Sequence, residues 1–141
     1  MRADPLHLET PLIESLALGR RLSRRVWLKM EALQPCGSFK ARGIGFACQR
    51  HVADGRRRLV SSSGGNAGLA LAYAGRRLGV PVTVVVPDTT TERARQLLRD
   101  EAAEVVVFGQ SWQEAHEHAQ TLLDADSAYI HPFDDPLIWE G

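Results

Sequence analysis

The run Val82-Thr83-Val84-Val85-Val86 is the feature that most constrains the fold of this chain. Its apolar residues fall on both faces of an extended strand, and such a strand is buried on both sides, as in a parallel sheet covered by helices. From position 58 onward the sequence alternates strand patterns with helical patterns. We therefore expect an α/β fold, a small parallel four-stranded sheet with helices on both faces.

The elements of this unit are predicted at regular intervals. Strands are expected at 59–60, 82–86, 105–108 and 128–130. The first intervening helix is predicted over 65–78, because an alanine-rich stretch is closed there by Gly79 and Pro81. Two further helices are predicted to begin at capping boxes, 89–92 and 111–114, in each of which Thr or Ser precedes Glu by three residues.

The residues before this unit also have ordered patterns. The stretch 10–23 begins with Pro11-Leu12-Ile13 and continues as a helical pattern, and 26–30 alternates as a strand. At the other end, Asp134-Asp135-Pro136 is typical of an N-cap followed by proline at the first helical position. The four-stranded unit does not need these pieces, so we expect both ends to belong to a second domain.

Lys40 lies at the start of a predicted helix that ends at Gly55, with Ser38 as its expected N-cap. The face that Lys40 heads carries apolar residues at Ile44, Ala47 and Cys48. The helix dipole and desolvation both disfavour the charged ammonium there, and so favour the neutral amine that imine chemistry requires. The alternative is a lysine that extends to solvent, but the only other lysine is Lys29.

A second candidate site is the stretch Ser61-Ser62-Ser63-Gly64-Gly65-Asn66-Ala67-Gly68, which connects the first predicted strand to the following helix. Ligands of parallel sheets bind beyond the carboxyl ends of the strands, where helix N-termini present free N–H groups. An anionic group is the expected guest. The glycines fit neither G-x-G-x-x-G nor a Walker loop, and the alternative is a glycine-rich turn without a ligand.

Composition and spacing exclude several other functions. The formal net charge is zero, so no basic excess points to nucleic acid. Neither a signal-peptide core in 1–5 nor a run long enough to cross a bilayer occurs, and a cytoplasmic protein without membrane contact is expected. His116 and His118 are two apart on a helix, so we expect surface histidines and no metal site. Trp112 is expected to be a packing residue.

Taken together, Ser38-Phe39-Lys40-x-Arg42-Gly43 and Ser62-Ser63-Gly64-Gly65-Asn66-Ala67-Gly68 resemble two signatures of fold type II pyridoxal-phosphate enzymes. The closest resemblance is to the L-serine/L-threonine dehydratases of the serine dehydratase family. It extends along nearly the whole chain and includes the last run, from His131-Pro132-Phe133 to Trp139-Glu140-Gly141.

The resemblance implies a role for each matching residue. Lys40 would be the Schiff-base lysine and then the base at the substrate Cα. Phe39 would lie against the ring of pyridoxal 5'-phosphate, and Asn66 would hydrogen-bond the 3-oxygen of this cofactor. The residues expected to hold the substrate carboxylate are Ser63, Gly64, Gly65, Asn66 and Ala67. The implied reaction is β-elimination from L-serine, with L-threonine second, to pyruvate or 2-oxobutanoate plus ammonia, in a full-length homodimer.

The family's phosphate loop and the residue that meets the pyridine nitrogen belong to a C-terminal half with no counterpart in this sequence. We therefore expect a large-domain segment at 1–41, the small α/β domain at 42–133 and the start of a return to the large domain at 134–141. The isolated chain is expected to bind the cofactor weakly. The alternatives are another fold type II enzyme, of the cysteine synthase or threonine synthase type, and a truncated non-catalytic remnant.

Overall fold

The computed structural model describes residues 4–141, so the first three residues of the segment expected over 1–41 lie outside the described range. In chain order the strands and helices are β1 (Leu12–Glu14), α1 (Leu16–Leu22), β2 (Trp27–Lys29), α2 (Lys40–Ala53), β3 (Arg58–Ser61), α3 (Asn66–Leu78), β4 (Val82–Val86), α4 (Glu92–Asp100), β5 (Glu104–Val107), α5 (Trp112–Thr121), β6 (Ser127–Tyr129) and α6 (Pro136–Glu140). A 3-10 turn, Glu31–Leu33, follows β2.

Four of the strands form the expected parallel sheet, in the order β5-β4-β3-β6. Strand β4 lies inside the sheet and is buried along its whole length, as its valine run predicts. Helix α3 connects β3 to β4, α4 connects β4 to β5, and α5 connects β5 to β6. The predicted alternation of four strands with three helices is therefore confirmed.

Alternate residues of each strand pack on opposite faces of the sheet. Leu59 and Val84 belong to the larger core, with α2, α3 and Leu98 of α4. Val60 and Val85 belong to a smaller core that α5 closes through two buried alanines. The sheet thus has helices on both faces, as expected. Buried aliphatic residues of this kind contribute about 1.5–3 kcal/mol each to folding.

A separate two-stranded antiparallel sheet precedes α2, and in it β1 pairs with β2. The beginning of the stretch 10–23, before its helical pattern, is therefore a strand. Helix α1 follows this strand, and the side chain of Ser15 caps α1. Large apolar residues of this region are exposed: Leu12, Ile13, Leu16, Leu22, Trp27 and Leu28. Pairing between strands that a helix separates in the chain is a non-local event, which local periodicity does not reveal.

Two of the predicted helix caps are wrong, and two are confirmed. Helix α2 has Phe39 at its N-cap position without a side-chain hydrogen bond, so Ser38 does not cap it. Helix α4 is capped by Thr91, whose side chain accepts the Ala94 N–H, and not by a box beginning at position 89. The box at 111–114 is present, and Asp135 caps α6 with proline following.

The strand order determines where a ligand can bind. From β3 the chain adds β4 and then β5 on one side, and it returns to place β6 on the other side of β3. The strand order therefore reverses between β3 and β6, and such a switch point opens a crevice at the carboxyl ends of the two strands. Within residues 4–141, no helix combines the length and the apolar character needed to cross a membrane.

Candidate active site

A cavity of about 290 Å³ lies at this switch point, between the ends of β3 and β6. Its lining comes from four separate parts of the chain: Lys40 at the start of α2, Ser63, Asn66 and Ala67 after β3, Trp112 at the start of α5, and Pro132 and Phe133 after β6. The volume is at the lower end of the range for small-molecule sites. The topology thus brings the two sequence signatures together in one site.

Lys40 is half-buried and its amine reaches across the cavity. Lys40 Nζ donates a hydrogen bond of 2.6 Å to the backbone carbonyl of Pro132. The face of α2 below it is buried as predicted, because Ile44, Ala47 and Cys48 are each at most 1% exposed. The lysine is therefore held at the cavity and does not extend freely into solvent, which answers the alternative raised by the sequence.

The rest of the Lys40 signature fixes the first turn of α2. Arg42 makes a two-pronged contact with the Glu31 carboxylate, with distances of 2.8 and 3.0 Å. The hydroxyl of Thr10 donates to the same carboxylate at 2.6 Å. These hydrogen bonds, with Arg42 first, lower the pKa of Glu31 to about 2. A charged, multiply bonded carboxylate thus anchors the helix start that carries Lys40.

The glycine-rich stretch after β3 needs glycine at one position above all. A Cβ built on Gly68 would lie 1.7 Å from the backbone oxygen of Ser63, so only glycine lets α3 approach this loop. A Cβ on Gly64 would lie 2.7 Å from the Thr90 side chain, whereas Gly65 has nothing closer than 4.0 Å. The tight turn presents Ser63 and Asn66 to the cavity.

The N-terminus of α3 is suited to a negatively charged group. Its N-cap residue is Gly65, which offers no side-chain oxygen to the first turn. The N–H groups of Asn66 and Ala67 therefore stay available at the positive end of a 13-residue helix. Ser63 adds a hydroxyl at the same edge. This donor set is the kind that binds a carboxylate or phosphate.

Not every residue implied by the resemblance lines the cavity. Phe39 is 59% exposed and its ring centroid lies 5.6 Å from Lys40 Nζ, so it borders the amine from outside. Gly64 and Gly65 shape the turn without lining the cavity. Among the described residues, no group of three or more potential metal ligands comes together. His118 stacks on Phe108, away from His116.

The sequence did not predict the aromatic wall of the cavity. Trp112, expected to be a packing residue, is 37% exposed and lines the cavity. Its indole stacks on His116 at 5.0 Å, and His131 and Phe133 stand edge-on to each other at 4.7 Å. The Tyr129 hydroxyl lies 2.6 Å from His116 Nδ1, and burial raises the pKa of Tyr129. Only the strand order brings α5 to this site.

The cavity therefore combines an amine, a primary amide, a hydroxyl and free helix N–H groups around one open space. These groups suit a carbonyl compound that Lys40 binds covalently and a carboxylate that the α3 N-terminus receives. A pyridoxal group with an amino-acid substrate has both features, so the residues present fit it. Fold and site together define an α/β protein in which a lysine amine and a helix N-terminus meet at one cavity.

The chain belongs to the family described as "Pyridoxal-phosphate dependent enzyme", which matches residues 3–141. A human protein named L-serine dehydratase/L-threonine deaminase is 50% identical over 143 residues, covering 100% of this chain and 44% of that protein. A crystal structure of a fungal L-serine ammonia-lyase from Rhizomucor miehei matches with a TM-score of 0.91 and 38% identity, over 98% of this chain and 44% of that one.

The processed form of threonine deaminase isoform 2 from Solanum lycopersicum matches with a TM-score of 0.88 and 32% identity, over 97% of this chain and 40% of that one. The resemblance to fold type II enzymes and the α/β class are confirmed by these relatives. The chain spans less than half the length of each of them.

Proposed function

We propose that this chain supplies the lysine-bearing, substrate-binding part of a pyridoxal-phosphate-dependent lyase that acts on L-serine. Loss of the β-hydroxyl would give pyruvate and ammonia, and L-threonine, as a second substrate, would give 2-oxobutanoate. The observation that carries the proposal is the shared cavity of Lys40 and Asn66 at the N-terminus of α3. The names of the human and fungal relatives favour the same reaction.

Lys40 has two tasks in this proposal. Its Nζ would form the covalent bond to the cofactor from the position at which the Pro132 carbonyl holds the amine. With the substrate in place, Lys40 Nζ would also be the base that accepts the proton from the substrate Cα. When bound, pyridoxal phosphate withdraws electrons from Cα and so makes both proton loss and departure of the β-hydroxyl feasible.

The loop after β3 and the first turn of α3 orient the substrate. The N–H groups at the start of α3 and the Ser63 hydroxyl would hold the substrate carboxylate, with Gly64 and Gly65 setting the turn. The Asn66 amide would donate to the 3-oxygen of the cofactor, and Phe39 would lie beside its ring. In this arrangement the substrate Cα–H bond would face Lys40 and its carboxylate would face α3.

The setting in which the enzyme acts follows from its resemblance to the dehydratases. We propose a homodimer of the full-length protein in the cytoplasm, with a small amino acid as its partner. The zero net charge supports the absence of nucleic-acid binding.

The reaction is tested on the longest polypeptide encoded in frame with residues 1–141. With pyridoxal phosphate and L-serine we expect pyruvate and ammonia in equal amounts, and Lys40→Arg abolishes both products because a guanidinium does not form an imine at neutral pH. Lys29→Arg is the matched control, since Lys29 Nζ is bound to the Thr10 carbonyl in the N-terminal region. Its activity should equal that of the unaltered protein.

Two results would replace the proposal by an alternative. A replacement product formed from an activated serine and a thiol, without pyruvate, would indicate a cysteine synthase type of enzyme. A protein that neither captures pyridoxal phosphate nor turns over L-serine would be a non-catalytic remnant.

A further inference from the structure

The turn that follows β6 is organised by one imidazole. His131 Nδ1 accepts the backbone N–H of Asp134 at 2.8 Å and that of Phe133 at 3.2 Å. Pro132 lies between His131 and Phe133, and its carbonyl accepts the hydrogen bond from Lys40 Nζ at 2.6 Å. We propose that His131 is a positioning residue for Lys40, because its Nδ1 holds the turn that presents the Pro132 carbonyl to the amine.

This role defines the state of the ring. A nitrogen that accepts two N–H groups carries no proton, so in this arrangement the ring proton of His131 is on Nε2. Protonation would place a third N–H against the two donors and remove both bonds. The titratable groups around the ring are His116 on α5, Tyr129 on β6, Asp134 in the turn and, through Pro132, Lys40 on α2.

The surrounding rings keep His131 in its place. The rings of Trp112, His116 and Tyr129 stand edge-on to it, with centroids 6.0 to 6.2 Å away. His131 itself lies outside the lining of the cavity, so it acts on the site through the turn and not by touching a ligand. Without the acceptor, the turn loses two anchors and Lys40 regains rotamers that the Pro132 bond now excludes.

The consequence for chemistry rests on the proposed function of Lys40. Capture of pyridoxal phosphate by Lys40 is measured after trapping with borohydride and is expressed relative to capture by Lys29 in the same molecules. We expect His131→Ala to reduce this ratio about threefold to tenfold, because that is the range that the rotamer freedom of one lysine allows. His131→Asn should stay within about twofold, because its side-chain oxygen can accept the same N–H groups. His118→Ala, on the far side of α5, is the matched control.

A second readout needs no cofactor. Acetic anhydride needs no fixed pose in the cavity, and the hydrogen bond to the Pro132 carbonyl restrains the Lys40 amine. Acetylation of Lys40 by this reagent, again relative to Lys29, should therefore be faster in His131→Ala and unchanged in His131→Asn. Imidazole nitrogen spectra of the unaltered protein should show the proton of His131 on Nε2. Circular dichroism of each variant confirms that the sheet is intact before the comparison is made.

The outcomes separate this inference from the function on which it rests. The inference would be overturned if His131→Ala captured as much cofactor at Lys40 as the unaltered protein and its Lys40 acetylation were unchanged. A ring proton of His131 on Nδ1 would also overturn it. So would a loss of capture in His131→Asn equal to that in His131→Ala. If Lys40 of the unaltered protein captures no more cofactor than Lys29, yet acetylation responds as expected, the proposed function fails and the positioning role stands.

Discussion

Replacing Gly68 by alanine tests the close approach on which the candidate site depends. The new Cβ would lie 1.7 Å from the Ser63 carbonyl oxygen and 2.9 Å from its carbon, where ordinary contact begins at 3.4 Å. Both partners are backbone atoms, so no side-chain rotation relieves the overlap. Either the first turn of α3 or the loop at Ser63 must move, and each lines the cavity.

The expected cost combines two opposing effects. Overpacking a well-packed position costs typically 1–3 kcal/mol, and the backbone partner puts this case at about 3 kcal/mol. Alanine is favoured over glycine within a helix by about 1 kcal/mol, which offsets part of that cost. The net loss of unfolding free energy is therefore about 2 kcal/mol, or a fall in melting temperature of roughly 8 °C for a domain of this size.

Thermal unfolding followed by circular dichroism measures this loss of stability. Capture of pyridoxal phosphate by Lys40, trapped with borohydride in the presence of L-serine, reports on the site. Gly65→Ala is the matched control, because its Cβ would meet nothing closer than 4.0 Å; its stability should change by less than about 1 kcal/mol. A Gly68→Ala protein that is as stable as the unaltered one, and whose Lys40 captures the cofactor equally in the presence of L-serine, would show that α3 does not approach Ser63 so closely.

Two further predictions concern α2. Because hydrogen bonding from Arg42 lowers the pKa of Glu31 to about 2, its contribution to stability is present above the ordinary carboxyl range and is lost as pH falls toward 2. Glu31→Gln should therefore be less stable than the unaltered protein at pH 7, and acid denaturation curves should converge near pH 2. In urea unfolding, Gly43→Ala should destabilise the protein by about 2 kcal/mol, since the new Cβ would lie 2.2 Å from a carbonyl oxygen of α6. Gly45→Ala should be neutral or stabilising, because its Cβ would lie 3.4 Å from its nearest neighbour.

The sheet could be predicted from the sequence because its determinants are local. A valine run buried on both faces, alanine-rich helical spacing and Gly79 beyond the helix end each act within a few residues. The strands of the four-stranded sheet agree with the expected ones to within one or two residues. Lys40 and Asn66 could be named because their signatures are contiguous, although their roles in the reaction stay predictions.

The remaining features depend on contacts between distant residues. The pairing of β1 with β2 and the position of Trp112 at the cavity follow from strand order, which periodicity does not encode. Cap prediction failed where several candidates were adjacent, since Thr91 caps α4 although a box could also begin two residues earlier. The acceptor role of His131 could not be predicted, because it requires the folded turn.

The central claim, that Lys40 is the residue that binds pyridoxal phosphate, is tested most directly by mapping the pyridoxyl group after borohydride reduction. The protein is incubated with excess cofactor, reduced, digested and analysed by mass spectrometry. We predict the label on Lys40, its loss in Lys40→Arg and its persistence in Lys29→Arg. Label recovered mainly on Lys29, or equally on both lysines, would contradict this claim.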